Sequence, residues 1–414
     1  MVPTDPTDKP KFIYVICQRG AEKTLREEVL SNHETFRLAF SRPGFVTFKV
    51  EAHSLGENFS LKSTLARTWG WSLGKVTGDS AKELVAQVTA DPQYAKCSHV
   101  HVWERDHTLP GKNGFEPGIS PLATEAAAQL AEANDTGTPP NVKYFNRVAS
   151  VDDQVFDIVM VEPNEWWYGY HIASHVAGRW PGGVPIVDRK VETVSRAYFK
   201  LKEALLWSGI TIQPGDVCAE IGSAPGGACQ LLLEMGATVV GIDPAEMEDE
   251  ILKHDQFTHV RKRSSEVRKR DFSQVKWLVS DMSVTPTYTL DAIEEIVSHD
   301  RVSVTGVIMT MKLTDWKLVN DVPALMKRAG ALGFKFVRSR QLAFNRREFC
   351  MVASRIVTHY ERAERSSEPN AFRQKCRRQP QLLSHNPSLK YLPKLKCNLL
   401  RKADRPLNSK PPSN

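Results

Sequence analysis

D-V-C-A-E-I-G-S-A-P-G-G-A-C-Q-L-L-L-E-M-G-A-T-V-V-G-I-D-P, residues 216–244, is the stretch that decides the fold of this chain. A short apolar run at 217–221 leads into a glycine-rich turn, a helical run begins at Ala228, and a second apolar run ends at Asp243. This alternation predicts a strand, a turn, a helix and a second strand. Similar units through residues 176–354 predict an α/β, Rossmann-like domain with a mostly parallel sheet of seven strands.

The glycine-rich turn predicts a ligand site, because ligands of open α/β sheets bind at the carboxyl ends of the strands. The turn reads G-S-A-P-G-G, which is neither a dinucleotide fingerprint nor a phosphate loop. Glu220 would repel a phosphate and attract an ammonium group, and Asp243 can accept ribose hydroxyls. S-adenosylmethionine is therefore favoured over a nucleotide, with a turn that binds nothing as the remaining alternative. The candidate cofactor-binding residues are Glu220, Gly222, Ser223, Ala224, Pro225, Gly226, Gly227, Asp243 and Asp281.

The composition is that of a soluble protein of several domains. A length of 414 residues indicates about two to four domains. No apolar run is long enough to span a membrane, and the N-terminus lacks a hydrophobic signal core, so we expect a cytoplasmic protein without membrane contact. The seven cysteines form no C-x-x-C pair, which argues against a zinc site or a disulfide framework. We therefore expect no metal.

Positive charge is concentrated at the C-terminal end. The chain carries a net charge of +7, and residues 361–414 alone carry 13 Lys or Arg against 4 Asp or Glu. The rest of the chain is slightly acidic, so any affinity for nucleic acid must come from local patches and from this tail. Hydrophobic periodicity fades beyond Ser354, and prolines punctuate the sequence. We expect a basic, mostly disordered tail at 355–414.

The N-terminal part predicts two α+β domains. Residues 1–60 read as a β-α-β-β unit, which fits a ferredoxin-like domain or a generic α+β module. Residues 61–175 repeat strands and helices with two long connections and predict a second α+β domain. The Gly- and Pro-rich segment at 177–190 reads as a linker into the catalytic domain at 176–354.

Three further features leave alternatives open. The run R-K-R-S-S-E-V-R-K-R at 261–270 can bind phosphates or form a solvated surface. His99 and His101 point to one face of a strand, which we expect to be solvated rather than part of a metal site. Four aromatic residues can stack on bases or pack in the core, namely Trp166, Trp167, Tyr168 and Tyr170.

Charged residues that lie at strand ends or next to the glycine-rich turn are candidates for catalysis. They are Lys200, Asp281, Lys312 and Glu348. The strand ends concerned lie at one edge of a doubly wound sheet, so we expect these side chains to converge. Methyl transfer to an alcohol requires a base, because a ribose 2′-hydroxyl is a weak acid. We expect burial and the like charge of Lys200 to lower the pKa of Lys312, so that Lys312 accepts the proton while the carboxylates orient the ammonium groups.

Methyltransferases that act on other acceptors have different sequence motifs. Methylases of exocyclic amines carry an [ND]-P-P-[YF] turn after the fourth strand, where this chain reads D-M-S-V at 281–284. Methylation of cytosine C5 requires a nucleophilic cysteine beside the cofactor. Cys350 lies within a predicted strand and Cys229 within a predicted helix, so both are interpreted as packing residues.

Five motifs resemble the FtsJ-like RNA 2′-O-ribose methyltransferases. They are S-R-A-Y-F-K-L-K-E-A (195–204), E-I-G-S-A-P-G-G (220–227), L-V-S-D-M (278–282), M-K-L (311–313) and R-E-F-C-M-V-A (347–353). The resemblance implies that Lys200, Asp281, Lys312 and Glu348 form the K-D-K-E tetrad of that family. Where the family often has Trp after the glycine pair, this chain has Ala228.

The N-terminal part is similar to the RlmM-type enzymes. The matching stretches are Y-V-I-C-Q-R-G-A-E-K (14–23) and A-R-T-W-G-W (66–71). This resemblance implies a ferredoxin-like domain at 1–60, a THUMP-like RNA-binding domain at 61–175, and methylation of a cytidine ribose in 23S rRNA. We expect a monomer that acts on RNA. The alternatives are 2′-O-methylation of tRNA, an mRNA cap or another RNA, and a non-catalytic RNA-binding or ribosome assembly factor.

Overall fold

The computed structural model describes residues 10–51, 55, 59–135, 143–188 and 192–356. Nearly all of the basic tail predicted at 355–414 lies outside this part of the chain. The described residues all belong to one compact unit. Within them, no helix combines the length and the apolar composition needed to cross a membrane.

The N-terminal half is built on a single eight-stranded sheet. Its strands are β1 (Phe12–Ile16), β2 (Arg37–Arg42), β3 (Phe45–Lys49), β4 (Thr68–Thr77), β5 (His99–Glu104), β6 (Tyr144–Phe145), β7 (Gln154–Glu162) and β8 (Glu165–Ile172). They lie in the order β2-β3-β1-β4-β8-β7-β5-β6. The helices are α1 (Glu22–Asn32), α2 (Ala81–Thr89), α3 (Pro92–Lys96) and α4 (Pro121–Asp135).

The boundary predicted at residue 60 falls within this one sheet. β1 pairs antiparallel with β3 on one side and with β4 on the other, and Tyr14 stands opposite Gly70. A Cβ at Gly70 would lie 2.5 Å from the Tyr14 hydroxyl, so this close approach requires glycine. The segments 1–60 and 61–175 are therefore joined by backbone hydrogen bonds.

The C-terminal half is an α/β unit with a seven-stranded sheet. Its strands are β9 (Val217–Ile221), β10 (Thr238–Ile242), β11 (Phe257–Val260), β12 (Trp277–Ser280), β13 (Gly306–Lys312), β14 (Phe336–Arg340) and β15 (Glu348–Ser354). The order is β11-β10-β9-β12-β13-β15-β14, and β15 runs antiparallel to both of its neighbours. The helices are α5 (Ala197–Ser208), α6 (Gly227–Glu234), α7 (Asp249–Leu252), α8 (Pro286–Val297) and α9 (Val322–Ala331).

Two apolar cores cover the faces of this second sheet. On one face α5 and α6 pack side chains such as Trp207 and Leu232 against Trp277. On the other face α8 and α9 contribute a cluster that also contains Leu25 and Val29 of α1. Because this second cluster is shared, the N-terminal half packs directly on the C-terminal half through apolar contact.

The segment predicted as a linker is in large part buried. Trp180 and the residues up to Pro185 are buried, and Gly182 and Gly183 adopt left-handed conformations. Arg67 of the N-terminal half donates through Nε to the Gly182 carbonyl at 3.0 Å. Its guanidinium also forms a buried pair with Asp106, at 2.7 Å. The segment is thus a packed junction rather than an exposed connection.

The expectation of a solvated histidine face was wrong. His101 is fully buried, and burial lowers its pKa to about 4, while His99 is 7% exposed. Both histidines lie on β5, and β7 covers one edge of that strand. Among the described residues, no group of three or more His, Cys, Asp or Glu side chains is arranged to hold a metal ion.

Candidate active site

The candidate catalytic residues come from elements that meet at the carboxyl edge of the second sheet. Asp281 directly follows β12, Lys312 is the last residue of β13, and Glu348 opens β15. In the antiparallel register of β13 and β15, Lys312 and Glu348 are direct partners. Lys200 reaches the same place from α5, which packs on this face of the sheet.

The four side chains form a closed ring of ion pairs. Lys200 Nζ lies 2.7 Å from Asp281 Oδ2 and 3.1 Å from Glu348 Oε1. Lys312 Nζ lies 2.9 Å from Asp281 Oδ1 and 2.6 Å from Glu348 Oε2. Each ammonium therefore bridges both carboxylates. The sequence prediction that these residues converge is confirmed by these distances.

The pKa of Lys312 shifts in the direction opposite to the one expected. Burial alone would lower it, but the charges of Asp281 and Glu348 outweigh burial and raise the pKa above its ordinary value. For Glu348, burial alone would raise the pKa, while Lys200 and Lys312 lower it to about 2. The expectation failed because both carboxylates lie in direct contact with Lys312, closer than sequence reasoning could establish.

The glycine-rich turn connects β9 to α6 beside this ring. Gly222 and Gly226 have φ values of 79° and 123°, which side chains with a Cβ rarely adopt. A Cβ at Gly226 would lie 2.9 Å from Ile251, and one at Gly227 would collide with the Ser195 hydroxyl. The turn is therefore in close contact with Ser195, which lies just before α5, and with Ile251 of α7.

Asp243 and Glu220 take different positions around the turn. Asp243, after β10, accepts backbone hydrogen bonds from Ala224 at 3.2 Å and from Ala245 at 2.8 Å. Glu220 is 1% exposed and accepts a hydrogen bond from Cys229 Sγ at 2.9 Å. Burial raises the pKa of Glu220 to about 8. Asp243 thus ties the turn to the end of β10, whereas Glu220 lies buried beneath it.

Ala228 leaves space next to the ring. Where the resembling family often has Trp, this alanine lines a cavity of about 10 Å³ together with Lys200 and Asp281. Such a volume holds about one water molecule. The cavity is an extension of the candidate active site under α5.

Sequence reasoning missed the residues that hold the turn before Glu348. Glu203, fully buried on α5, accepts hydrogen bonds from the backbone N–H groups of Ala343 and Phe344, at 2.9 and 3.0 Å. From the N-terminal half, the Thr64 carbonyl accepts from Gln341 N at 2.7 Å. The only available signal was the position of Glu203, one helical turn after Lys200.

The contacts of two features that the sequence left open are visible in the structure. In the run 261–270, four of the six basic side chains pair with carboxylates: Arg261 with Glu246, Arg268 and Arg270 with Asp271, and Lys269 with Glu295. Among the aromatic residues, Trp166 is buried and Trp167 stacks on Phe40 with ring centroids 4.9 Å apart. These contacts favour a solvated surface for the basic run and packing for the two tryptophans.

Residues 193–361 match the family of FtsJ-like methyltransferases. This region is an FtsJ-like methyltransferase domain. The resemblance of the five motifs to FtsJ-like methyltransferases is thereby confirmed for residues 193–361. The FtsJ-like domain contains the ring of ion pairs and the glycine-rich turn.

The curated relatives are named as ribosomal RNA methyltransferases. The ribosomal RNA large subunit methyltransferase M of Alkalilimnicola ehrlichii is 29% identical over 197 residues, which cover 44% of this chain and 52% of that protein. The protein of the same name from Halorhodospira halophila is 34% identical over 115 residues, 26% of this chain and 32% of that protein. The chain thus spans about half, or less, of the length of these relatives.

Among solved structures, similarity is low. A putative hemolysin from Lactococcus lactis is 20% identical, with a TM-score of 0.34, and the match covers 41% of this chain and 91% of that one.

Proposed function

We propose that the FtsJ-like domain transfers a methyl group from S-adenosylmethionine to a ribose 2′-hydroxyl of RNA. The observation that carries the proposal is the ring of two lysines and two carboxylates at the carboxyl edge of the sheet. S-adenosylmethionine, when bound, supplies a methyl group on a positively charged sulfur. The ring lies where the parallel strands end, which is where open α/β sheets bind their ligands.

The residues around the turn fit this cofactor. Asp243 presents a carboxylate at the end of β10, where an acidic residue can accept ribose hydroxyls. The left-handed glycines Gly222 and Gly226 let the backbone come close to a ligand without a side chain in between. Ser223, Ala224, Pro225 and Gly227 complete the proposed cofactor-binding turn, with Glu220 buried beneath it and Asp281 directly after β12.

Lys312 is the proposed general base. It has to be neutral to take the proton of the ribose hydroxyl, and the oxygen would then be free to accept the methyl group that bound S-adenosylmethionine would supply, leaving the sulfur with the electron pair of the broken bond. Because Asp281 and Glu348 raise the pKa of Lys312, only a small fraction is neutral near pH 7. Lys200 also forms ion pairs with both carboxylates, so their negative charge is divided between the two lysines.

The substrate is proposed to be a cytidine in 23S rRNA, bound with help from the N-terminal half as a ferredoxin-like and THUMP-like region. The names of the curated relatives support a large-subunit rRNA. Another RNA, such as a tRNA, would be methylated by the same chemistry. A non-catalytic assembly factor would not need the ring of ion pairs.

Labelled methyl transfer tests the proposal. The protein is incubated with labelled S-adenosylmethionine and deproteinised total RNA from a strain that lacks this gene, and the RNA is digested to nucleosides. We expect label in a 2′-O-methylated nucleoside, and 2′-O-methylcytidine from 23S rRNA would establish the substrate. Label on a base would overturn the reaction type.

The variant Lys312→Ala separates binding from chemistry. It removes the proposed base but leaves the glycine-rich turn unchanged, so we expect methyl transfer to fall by about 100-fold or more. The affinity for S-adenosylmethionine, measured by calorimetry, should stay within about threefold of the original protein, a difference of about 0.7 kcal/mol or less. Full activity of Lys312→Ala would rule out its role as the base.

A further inference from the structure

A loop of the N-terminal half stands next to the candidate active site. It occupies residues 107–118, between β5 and α4. Gly111, Asn113 and Gly114 adopt left-handed conformations, with φ values of 71°, 52° and 74°. Hydrogen bonds from Lys112 N to Leu109 O and from Phe115 N to Lys112 O, both 3.0 Å, close the turn. The loop therefore presents an exposed tip, Lys112 to Gly114, in a defined conformation.

Two arginines of the FtsJ-like domain anchor this loop. Arg196, one helical turn before Lys200, pairs with Glu116 at 2.6 Å. Arg346, two residues before Glu348, donates through Nε to the Pro110 carbonyl at 2.7 Å. A Cβ at Gly111 would lie 2.6 Å from Arg346 and 2.7 Å from Arg196, so the loop is in close contact with both. The loop is thus anchored on both sides of its tip to residues that lie four positions before Lys200 and two positions before Glu348.

Arg347 lies on the neighbouring side of Glu348. Its carbonyl accepts a hydrogen bond from Leu313 N at 2.7 Å, and its guanidinium donates to the Thr314 carbonyl at 2.9 Å. The guanidinium also stacks over the Trp316 ring, 5.6 Å from its centroid. These contacts hold the exposed Arg347 guanidinium beside the residues that directly follow β13, the strand that ends in Lys312.

The three cations Lys112, Arg346 and Arg347 carry uncompensated charge. All three are exposed, and none lies within ion-pair distance of a carboxylate among the residues that the structure describes. Their neighbour Glu116 is already paired with Arg196. The arginines are anchored by neutral carbonyls, which fix their positions without cancelling their charge. The edge around the ring is therefore positively charged.

We propose that Lys112, Arg346 and Arg347 bind backbone phosphates of the RNA on either side of the nucleotide whose ribose meets Lys312. This inference rests on the proposed function and names the surface that binds the RNA substrate. Guanidinium groups match the geometry of phosphate oxygens, and phosphate contacts fix the register of a nucleic acid on a protein. The N-terminal half thereby contributes one residue, Lys112, to the site where the chemistry takes place.

The dependence of RNA binding on salt tests this proposal. The dissociation constant of deproteinised 23S rRNA is measured at several salt concentrations for Lys112→Ala, Arg346→Ala and Arg347→Ala. Each lost phosphate contact should weaken binding and reduce the slope of log K against log salt by about 1. Arg347→Lys keeps the charge and should keep the slope. The affinity for S-adenosylmethionine should not change in any of these variants.

Lys335→Ala is the matched control. Lys335 is exposed and precedes β14, at the opposite edge of the sheet from the ring. For Lys335→Ala, the slope of log K against log salt should equal that of the original protein. Lys112→Ala, Arg346→Ala and Arg347→Ala could also keep the original slope while methyl transfer continued. That result would refute phosphate binding by these three residues and leave the proposed function standing. If the three variants had a reduced slope but the original protein transferred no methyl group, phosphate binding by these residues would be supported and the enzymatic function would be overturned.

Discussion

Replacing Glu348 with glutamine should change how the reaction depends on pH. Glu348→Gln keeps the shape of the side chain but removes a buried charge in contact with both lysines. At the observed 2.6 Å, and with an effective dielectric constant of about 20, two unit charges attract each other by about 6 kcal/mol. Burial offsets part of this attraction, and removing one partner of a buried pair costs about 3–5 kcal/mol. At about 1.36 kcal/mol per unit, the pKa of Lys312 should fall by about two to four units.

The assay is the rate of a single turnover as a function of pH, with saturating S-adenosylmethionine and RNA. In the original protein the rate should rise about tenfold per unit between about pH 6 and about pH 9, because the base is neutral only above its raised pKa. In Glu348→Gln the rate should level off at least about two units lower. The maximal rate should also be lower, because one of the groups that orient Lys312 is lost.

A control variant separates this effect from general changes in charge. Glu162 forms an ion pair with Arg105 at the same distance, 2.6 Å, but it is half exposed and lies in the N-terminal sheet. Glu162→Gln should leave the pH profile unchanged. A rate that is independent of pH in the original protein, or an unchanged profile in Glu348→Gln, would refute the role of Lys312 as a base held protonated by carboxylates.

Two further predictions concern the junction between the halves and the turn before Glu348. Asp106→Asn leaves the Arg67 guanidinium buried without a carboxylate, so the free energy of unfolding in urea should fall by about 3–5 kcal/mol; a loss below about 1 kcal/mol would contradict a buried pair. Glu203→Gln disturbs the carboxylate that accepts from Ala343 N and Phe344 N, so kcat should fall at unchanged affinity for S-adenosylmethionine. Glu234→Gln on α6 is its control, and equal loss of kcat in both variants would argue against a positioning role for Glu203.

Much of the candidate site could be predicted because its residues follow local rules. A glycine-rich turn between a strand and a helix, and an acidic residue at the end of the next strand, are visible as short patterns. Asp281, Lys312 and Glu348 stand at strand ends, and strand ends of a doubly wound sheet share one edge. Their convergence is therefore a consequence of sheet topology, which alternating strands and helices indicate.

The sequence by itself determined the α/β unit, the turn at 222–227 and the identity of the four charged residues. Tertiary structure alone decided that β1 pairs with β4, because alternation along a strand does not specify its partner. It also decided the direction of the pKa shift of Lys312, which depends on two carboxylates within 3 Å of its ammonium group. The contact between the loop at 107–118 and Arg346 joins residues more than 200 positions apart. Such contacts are set by how the two sheets pack, and no local pattern encodes them.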